Sequence, residues 1–325
     1  MSIRNAWLVI VFLGLSVVSL KAQDQSKTIR IGVLMSGSEA SSGMFLEGLR
    51  QGLTEQGLIE GKSVRLEVRY AGGQIDQLDS LAVELATSGV DLIFTGGDQG
   101  AWAAKRASDK IPIVAVTCDA LEAGLVTNLP RPGGNLTGVT CINSDLSGKR
   151  VELINASIPS LSHLGVILNP SDKRMTSELR EVESAGKASS IDVKPLAVVS
   201  PEDLGPAFSK ATIDGMSAVV VVFDAMTFFH RTKLAEIAIR NHVGTIFNFR
   251  QYVDAGGLMS YGPNLRDMYR QSARHIQKIL KGEAPGELPM EQPTRFEFVI
   301  NLKTAKALGI TIPPALLARA DEVIE

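Results

Sequence analysis

The stretch FTGGDQG, residues 94–100, places a threonine, two glycines and an aspartate directly after the apolar run GVDLI. Gly96 and Gly97 let the backbone turn sharply and approach another group closely. A helix that starts here leaves N–H groups free of intrahelical partners. Those groups, with the Thr95 hydroxyl, suit a small anion such as a ligand carboxylate. A plain tight turn with Asp98 as a solvated helix cap explains the same residues.

Other loops carry similar chemistry. SGSEASSG offers Ser36, Ser41 and Ser42; TCDA offers Thr117, Cys118 and Asp119. Asp224 follows the apolar run AVVVVF, where a carboxylate at a buried strand's carboxyl end either pairs with a ligand ammonium or caps the next helix. Asn169 ends HLGVILN and is followed by Pro170, which favours a fixed turn. Phe228, Phe229, Phe249 and Tyr261 offer apolar walls, although each taken alone suits a core better than a pocket; Tyr261, an aromatic in a Gly/Pro loop, is the best wall candidate.

Several chemistries find no support. GGDQG does not match a dinucleotide loop, and LSGKRVE lacks both the upstream glycine and the hydroxyl of a phosphate loop, with Arg150 in the hydroxyl's place. The histidines at 163, 230, 242 and 275 form no HxH or HExxH pattern, so no metal or other cofactor is expected. No G-x-S-x-G elbow and no CxxC occurs. The basic side chains Arg270, Arg274, Lys278 and Lys281 fall on one predicted helix and read as a solvated face or a dock for acids.

The elements that must position these loops alternate. IRIGVLM, VRLEVRY, GVDLIF and IPIVAVT read as strands. Helical spacing appears at Phe45, Leu46, Leu49 and Leu53, again at Leu78, Leu81, Ala82 and Leu85, and over residues 101–108. Strands alternating with helices imply a mostly parallel sheet covered on both faces, with ligands beyond the carboxyl ends of the strands. The Pro/Gly/Asn-rich stretch PRPGGNLTGVTCINSD interrupts the rhythm, and a second unit follows over about residues 144–250. The tail is too short for a third domain, so its elements return to the earlier two. The expected division is residues 28–141 plus 253–290 for one lobe and 144–250 plus 294–325 for the other.

The chain has 325 residues, a net charge of −2, and high aliphatic with low aromatic content. That is a globular composition, not basic enough for a nucleic-acid binder. Residues 1–22 pair one positive side chain, Arg4, with the apolar run LVIVFLGLSVVSL and then Lys21-Ala22. This reads as a secretory signal peptide cleaved after Ala22, with an uncleaved anchor as the alternative. Cleavage removes Arg4 and Lys21 and no acid, which takes the charge to −4. The two cysteines, Cys118 and Cys141, each end an apolar run; outside the cytosol they form either a disulfide or two buried thiols.

The chain resembles the family of ABC transporter substrate-binding proteins that includes tryptophan- and tyrosine-binding members. The resemblance rests on RIGVLM, EGLRQGLTEQGLIEGKSVRLEVRYAGG, NLPRPGGNLTGVT, AGGLMSYGPNLRDMYR and FEFVINLKTAKALGITIPPALLARADEVIE, and runs from about Ile29 to Glu325. It implies an α/β, type I periplasmic-binding-protein fold, two parallel-sheet lobes joined by a three-segment hinge. It also implies capture of a small solute in the periplasm by hinge closure and delivery to an inner-membrane ABC permease. The ligand contacts it implies fall at Ser36, Ser41, Ser42, Thr95, Gly96, Gly97, Thr117, Cys118 and Asp119, and across the cleft at Asn169, Asp224, Phe249 and Tyr261. Many relatives carry Ser-Asp-Pro where this chain has Cys118-Asp119-Ala120, so the ligand does not transfer with the family. The expected solute is a small carboxylate-bearing metabolite, such as an amino acid or aromatic acid, bound by a monomer without catalysis. A periplasmic sensor that presents a solute to a receptor, and an enzyme acting in the cleft, are the rival readings.

Overall fold

The computed structural model describes residues 28–325; the expected signal peptide lies outside the described residues. The chain builds two sheets. The first is assembled from β1 (Ile29–Met35), β2 (Val64–Tyr70), β3 (Leu92–Gly96), β4 (Ile113–Cys118) and β5 (Leu136–Cys141). Helices α1 (Glu39–Glu55), α2 (Leu78–Thr87) and α3 (Asp98–Ala107) connect its first four strands. All its neighbours are parallel, in the order β2-β1-β3-β4-β5. The alternation of side chains along a strand sends Val33, Phe94, Val114 and Val116 into the core on one face. Leu34, Ile93 and Ala115 enter a second core against α2 and α3 on the other face.

The second lobe begins with α4 (Ser147–Ser157), β6 (His163–Leu168), α5 (Lys173–Ala188), β7 (Asp192–Ala197), α6 (Leu204–Ile213) and β8 (Ala218–Val221). It continues through α7 (Ala225–Phe229), α8 (Arg231–Arg240), β9 (Gly244–Phe247), α9 (Arg250–Asp254) and β10 (Met259–Pro263). Strands β6 to β10 repeat the first lobe's order, running β7-β6-β8-β9-β10 across the sheet.

The chain then returns to the first lobe as α10 (Leu265–Leu280), which packs along α1 and against β4 and β5. The Asn264 side chain starts this helix by accepting the Asp267 N–H. Residues 281–295 lead back to β11 (Phe296–Asn301), α11 (Leu302–Leu308), α12 (Pro314–Leu317) and β12 (Glu322–Ile324) at the edge of the second sheet. The lobes are thus joined where β5 leads to α4, where β10 leads to α10, and where residues 291–295 lead to β11.

Two details differ from the sequence reading. Residues 259–263 were expected in the first lobe, yet β10 pairs with β9 and β11 in the second sheet, and the return to the first lobe starts only at α10. The second sheet is also not wholly parallel, because β11 runs antiparallel to β10. The chain leaves the second lobe at the carboxyl end of β10 and re-enters beside that end. The next strand therefore has to run back, and no crossover helix is needed.

Cys118 and Cys141 face each other in register at the ends of β4 and β5 and are joined by a disulfide. The bridge spans 23 positions of sequence, so the loop-entropy estimate for losing it is about 3 kcal/mol. The Cys118→Ser/Cys141→Ser variant should show that loss in urea unfolding. A variant as stable as the parent would mean that the bridge leaves the unfolded chain unconstrained.

Candidate ligand-binding site

In open sheets of this order the carboxyl ends of the strands on either side of the reversal form a crevice. In the first lobe those are the ends of β1 and β3, which carry Ser36–Gly37 and Gly96–Gly97. A cavity of about 90 Å³ opens there, against the roughly 10–15 Å³ that one water needs, so it has room for more than a single water. The first lobe contributes Ser36, Ser41, Ser42 and Phe45, the loop from Gly96 to Gln99, and Val116, Thr117 and Cys118. The returning helix α10 adds Leu265 and Tyr269, and the second lobe closes the far side with Phe223, Ala225, Phe228 and Phe229.

The two glycines of the opening stretch have different reasons. Gly97 has φ +88° and ψ 154°, a conformation that is essentially glycine's alone. Gly96 is ordinary in φ, but a Cβ there would overlap the Tyr269 hydroxyl. One glycine therefore provides the turn, and the other makes room for an aromatic side chain from a distant part of the chain. Asp98 is not a solvated cap. It is buried at the start of α3, and its Oδ1 accepts the Cys118 N–H at 3.2 Å.

The remaining polar lining offers hydroxyls, backbone N–H groups and the buried Asp98 carboxylate. The hydroxyls of Ser36 and Thr117 are buried and have no hydrogen-bond partner among the described residues. A buried hydroxyl without a partner costs about 1–3 kcal/mol, so a ligand group that hydrogen-bonds either one regains that cost. Among the described residues no lysine or arginine lines the cavity, so a ligand anion there has only hydroxyls and backbone N–H groups as donors. The rest is aromatic. Tyr269 stacks on Phe45 with centroids 5.2 Å apart, and Phe228 lies 6.3 Å from Phe45 across the lobes. Burial pushes the Tyr269 phenol well above its ordinary pKa, which keeps it neutral.

The sequence profile described as "ABC transporter substrate binding protein" matches residues 30–324. This chain belongs to that family. A "Tyrosine-binding protein" of Clostridioides difficile is 25% identical over 292 residues, which is 89% of this chain and 84% of that one. The structure of an ABC domain in complex with L-Trp from Streptococcus pneumoniae superposes with a TM-score of 0.84 at 26% identity, covering 91% of this chain and all (100%) of that one. A conserved domain protein from Vibrio cholerae superposes equally well, with a TM-score of 0.84 at 25% identity and coverage of 91% and 100%. Fold and family are those of solute-binding proteins that work with ABC transporters. Among the described residues, no group of three or more His, Cys, Asp or Glu side chains is placed to hold a metal ion.

Of the residues expected at the ABC substrate-binding site, the structure brings Ser36, Ser41, Ser42, Gly96, Gly97, Thr117 and Cys118 to the cavity. It places the others elsewhere. Thr95 is fully buried, and its hydroxyl donates to the Leu34 carbonyl at 3.1 Å. Asn169 folds onto its own turn, its Oδ1 accepting the Ser171 N–H. Asp224 caps α7, its Oδ1 accepting the Thr227 N–H at 3.1 Å, so the stretch expected to be a loop is a short helix. Phe249 lies behind the wall and meets Phe223 edge-on at 4.9 Å. Tyr261 packs on Phe296 in the second lobe's core. Asp119 turns away from the cavity into a neighbouring recess.

Sequence reasoning missed Phe223 and Tyr269 as walls. Phe223 hid at the end of the apolar run before Asp224, and Tyr269 lies in a helix whose return to the first lobe no local pattern reveals. It also missed the role of Arg150. This side chain is fully buried, and its Nη1 donates to Glu178 Oε1 and to the Asn143 carbonyl, both at 3.0 Å. Its Nε donates to the Tyr261 carbonyl at 3.0 Å. One guanidinium thereby ties the β5–α4 connection to α5 and β10 of the second lobe. Burial pushes the Glu178 carboxyl up, while Arg150, Asn248 and Ser147 pull it back.

Proposed function

We propose that this protein is the solute-capturing component of an ABC uptake system and holds a small carboxylate-bearing metabolite with an apolar or aromatic body. The observation that carries this reading is the pair of buried hydroxyls of Ser36 and Thr117, unpartnered among the described residues, on residues that line a cavity walled by Phe45, Phe223, Phe228 and Tyr269. The carboxylate takes the hydroxyls and the N–H groups around Gly97, and the body of the solute fills the aromatic space. Relatives named for tyrosine and solved with L-Trp support an aromatic amino acid as the first class to test.

In this reading the lobes rotate about their three connections, and the ligand draws them together because it contacts both only in the closed form. Closure excludes water and strengthens each polar contact. The chain is exported, loses residues 1–22, acts as a monomer in the periplasm and hands its cargo to an inner-membrane permease without chemical change.

Native mass spectrometry of freshly purified protein, followed by thermal-shift screening of aromatic and branched amino acids and their deaminated acids, tests this directly. Ser36→Ala and Thr117→Val should each weaken the best ligand by about ten- to hundredfold, the worth of a hydrogen bond to a charged group. Parent-like calorimetric affinity in the double variant, or a screen in which no compound shifts the unfolding midpoint, would sink the proposal.

A further inference from the structure

A disulfide stands in the wall of the solute cavity. Side chains alternate along β4, so Cys118 shares a face with Val116, and Met35, Phe45 and Tyr269 pack into the same core. All five residues line the cavity. Cys141, the bonded partner on β5, borders a separate groove together with Thr140 and Ile142. The cystine therefore stands between cavity and groove, buried at both ends. Hydrogen bonds carry its hold in two directions. The Cys118 N–H donates to Asp98 Oδ1 at 3.2 Å, at the start of α3. The Asp119 N–H donates to the Cys141 carbonyl at 3.0 Å, and Asp119 Oδ1 accepts the Asn143 N–H at 3.0 Å. Asn143 lies in the β5–α4 connection between the lobes. Thr117, with its buried and unpartnered hydroxyl among the described residues, is the chain neighbour of Cys118. One covalent bond thus joins the cavity floor to the first turn of α3 and to an interlobe connection.

We propose that the Cys118–Cys141 disulfide is a positioning element for solute capture: oxidised, it holds Thr117 and the β5–α4 connection in the binding geometry, and its reduction by a dithiol weakens solute binding. The inference rests on the solute-binding reading above and adds redox control to that site. In the reduction the S–S bond breaks and two electrons and two protons pass from the dithiol to the protein. Cys118 and Cys141 become thiols, and the dithiol closes its own disulfide.

Bonded sulfurs lie about 2 Å apart, whereas unbonded heavy atoms need about 3.5–4 Å. On reduction the two sulfurs must part inside a close-packed wall, where Val116 and Val139 are buried beside them, so the strand ends have to give. A shift of about 1 Å at Thr117 takes an O–H···O bond from about 2.8 Å to beyond its useful range. Losing that bond and the preorganised wall should weaken a bound solute about tenfold or more. Linkage makes the effect reciprocal. A solute that binds the oxidised protein tenfold tighter favours the disulfide over the dithiol by the same factor. Saturation with solute should therefore move the midpoint potential of the cystine about 30 mV more negative.

Calorimetry with six probes provides the test: L-tyrosine, L-tryptophan and L-leucine, and their deaminated acids 3-(4-hydroxyphenyl)propionate, 3-(indol-3-yl)propionate and 4-methylpentanoate. Each is titrated into the oxidised protein and into protein held reduced by excess dithiothreitol, with far-UV circular dichroism confirming that both are folded at the titration temperature. The tightest probe should bind the reduced protein about tenfold or more weakly, and reoxidation should restore its affinity. Cys118→Ala/Cys141→Ala has no bond to reduce, so its affinity should be the same with and without dithiothreitol. Graded mixtures of reduced and oxidised dithiothreitol, with thiols counted by alkylation and mass spectrometry, should show the negative shift in potential when that probe is present. Equal affinity in the two folded forms, a potential that the probe leaves unmoved, or a dithiothreitol effect in the alanine variant overturns the coupling and leaves the solute-binding reading standing. Unfolding of the reduced protein also overturns the coupling, because the bond then maintains the fold rather than the site. Failure of all six probes to bind the oxidised protein overturns the solute class and the coupling with it.

Discussion

Replacing Arg150 with methionine should cost about 3–5 kcal/mol of stability, because the change strands the Glu178 carboxylate in a fully desolvated position. The same change frees the Asn143 and Tyr261 carbonyls from their shared donor. The pairing itself is not expected to be worth that much, because taking both charges out of water offsets most of their attraction. The double variant Arg150→Met/Glu178→Met should accordingly recover most of the loss, to within about 1–2 kcal/mol of the parent. Urea unfolding of the two single variants and the double variant reads this out. If Arg150→Met alone unfolds at the parent's midpoint, the guanidinium is not what neutralises this interior. The residue that spoiled a phosphate-loop match in the sequence is, in the fold, the clasp between the β5–α4 connection and strand β10.

The second large effect is expected at Gly96. A Cβ at this position would overlap the Tyr269 hydroxyl and crowd the ring carbon that bears it. The ring cannot yield easily, since it stacks on Phe45 at 5.2 Å and meets Phe94 edge-on at 5.4 Å. Gly96→Ala should therefore destabilise the protein by about 1–3 kcal/mol and displace one aromatic wall of the cavity. Affinity for the best ligand from the screen should fall by more than about tenfold. Adding Tyr269→Phe removes the overlapping oxygen and should restore part of both losses. Gly97→Ala carries a different signature, backbone strain of about 1–3 kcal/mol at positive φ with no steric conflict at the new methyl. Thermal unfolding and calorimetry on the three variants distinguish the two cases. Parent-like binding by Gly96→Ala would show that Tyr269 does not shape the site.

Much of the scaffold was legible because its signals are local. The run IRIGVLM is the strand Ile29–Met35, and the stretch that carries Arg270, Arg274 and Lys278 is one helix, Leu265–Leu280. Apolar runs broken by glycine-rich turns leave few alternatives to a covered parallel sheet. The strand-end rule also located half of the cavity in advance, since Ser36, Gly96 and Thr117 follow from where β1, β3 and β4 must stop. The antiparallel direction of β11 was not legible, because it depends on which end of the sheet the chain returns to.

The sequence by itself determined the alternating elements, the family and the loops of the first lobe that reach the cleft, because hydrophobic period and turn chemistry act within a few residues. Only the tertiary structure decided what fills and closes that cleft. It chose capping for Asp224, core for Tyr261 and support for Phe249; it brought Tyr269 into the wall and joined Cys118 to Cys141. Each of those outcomes is a competition between partners far apart in the chain, and a side chain goes to the partner that packing delivers.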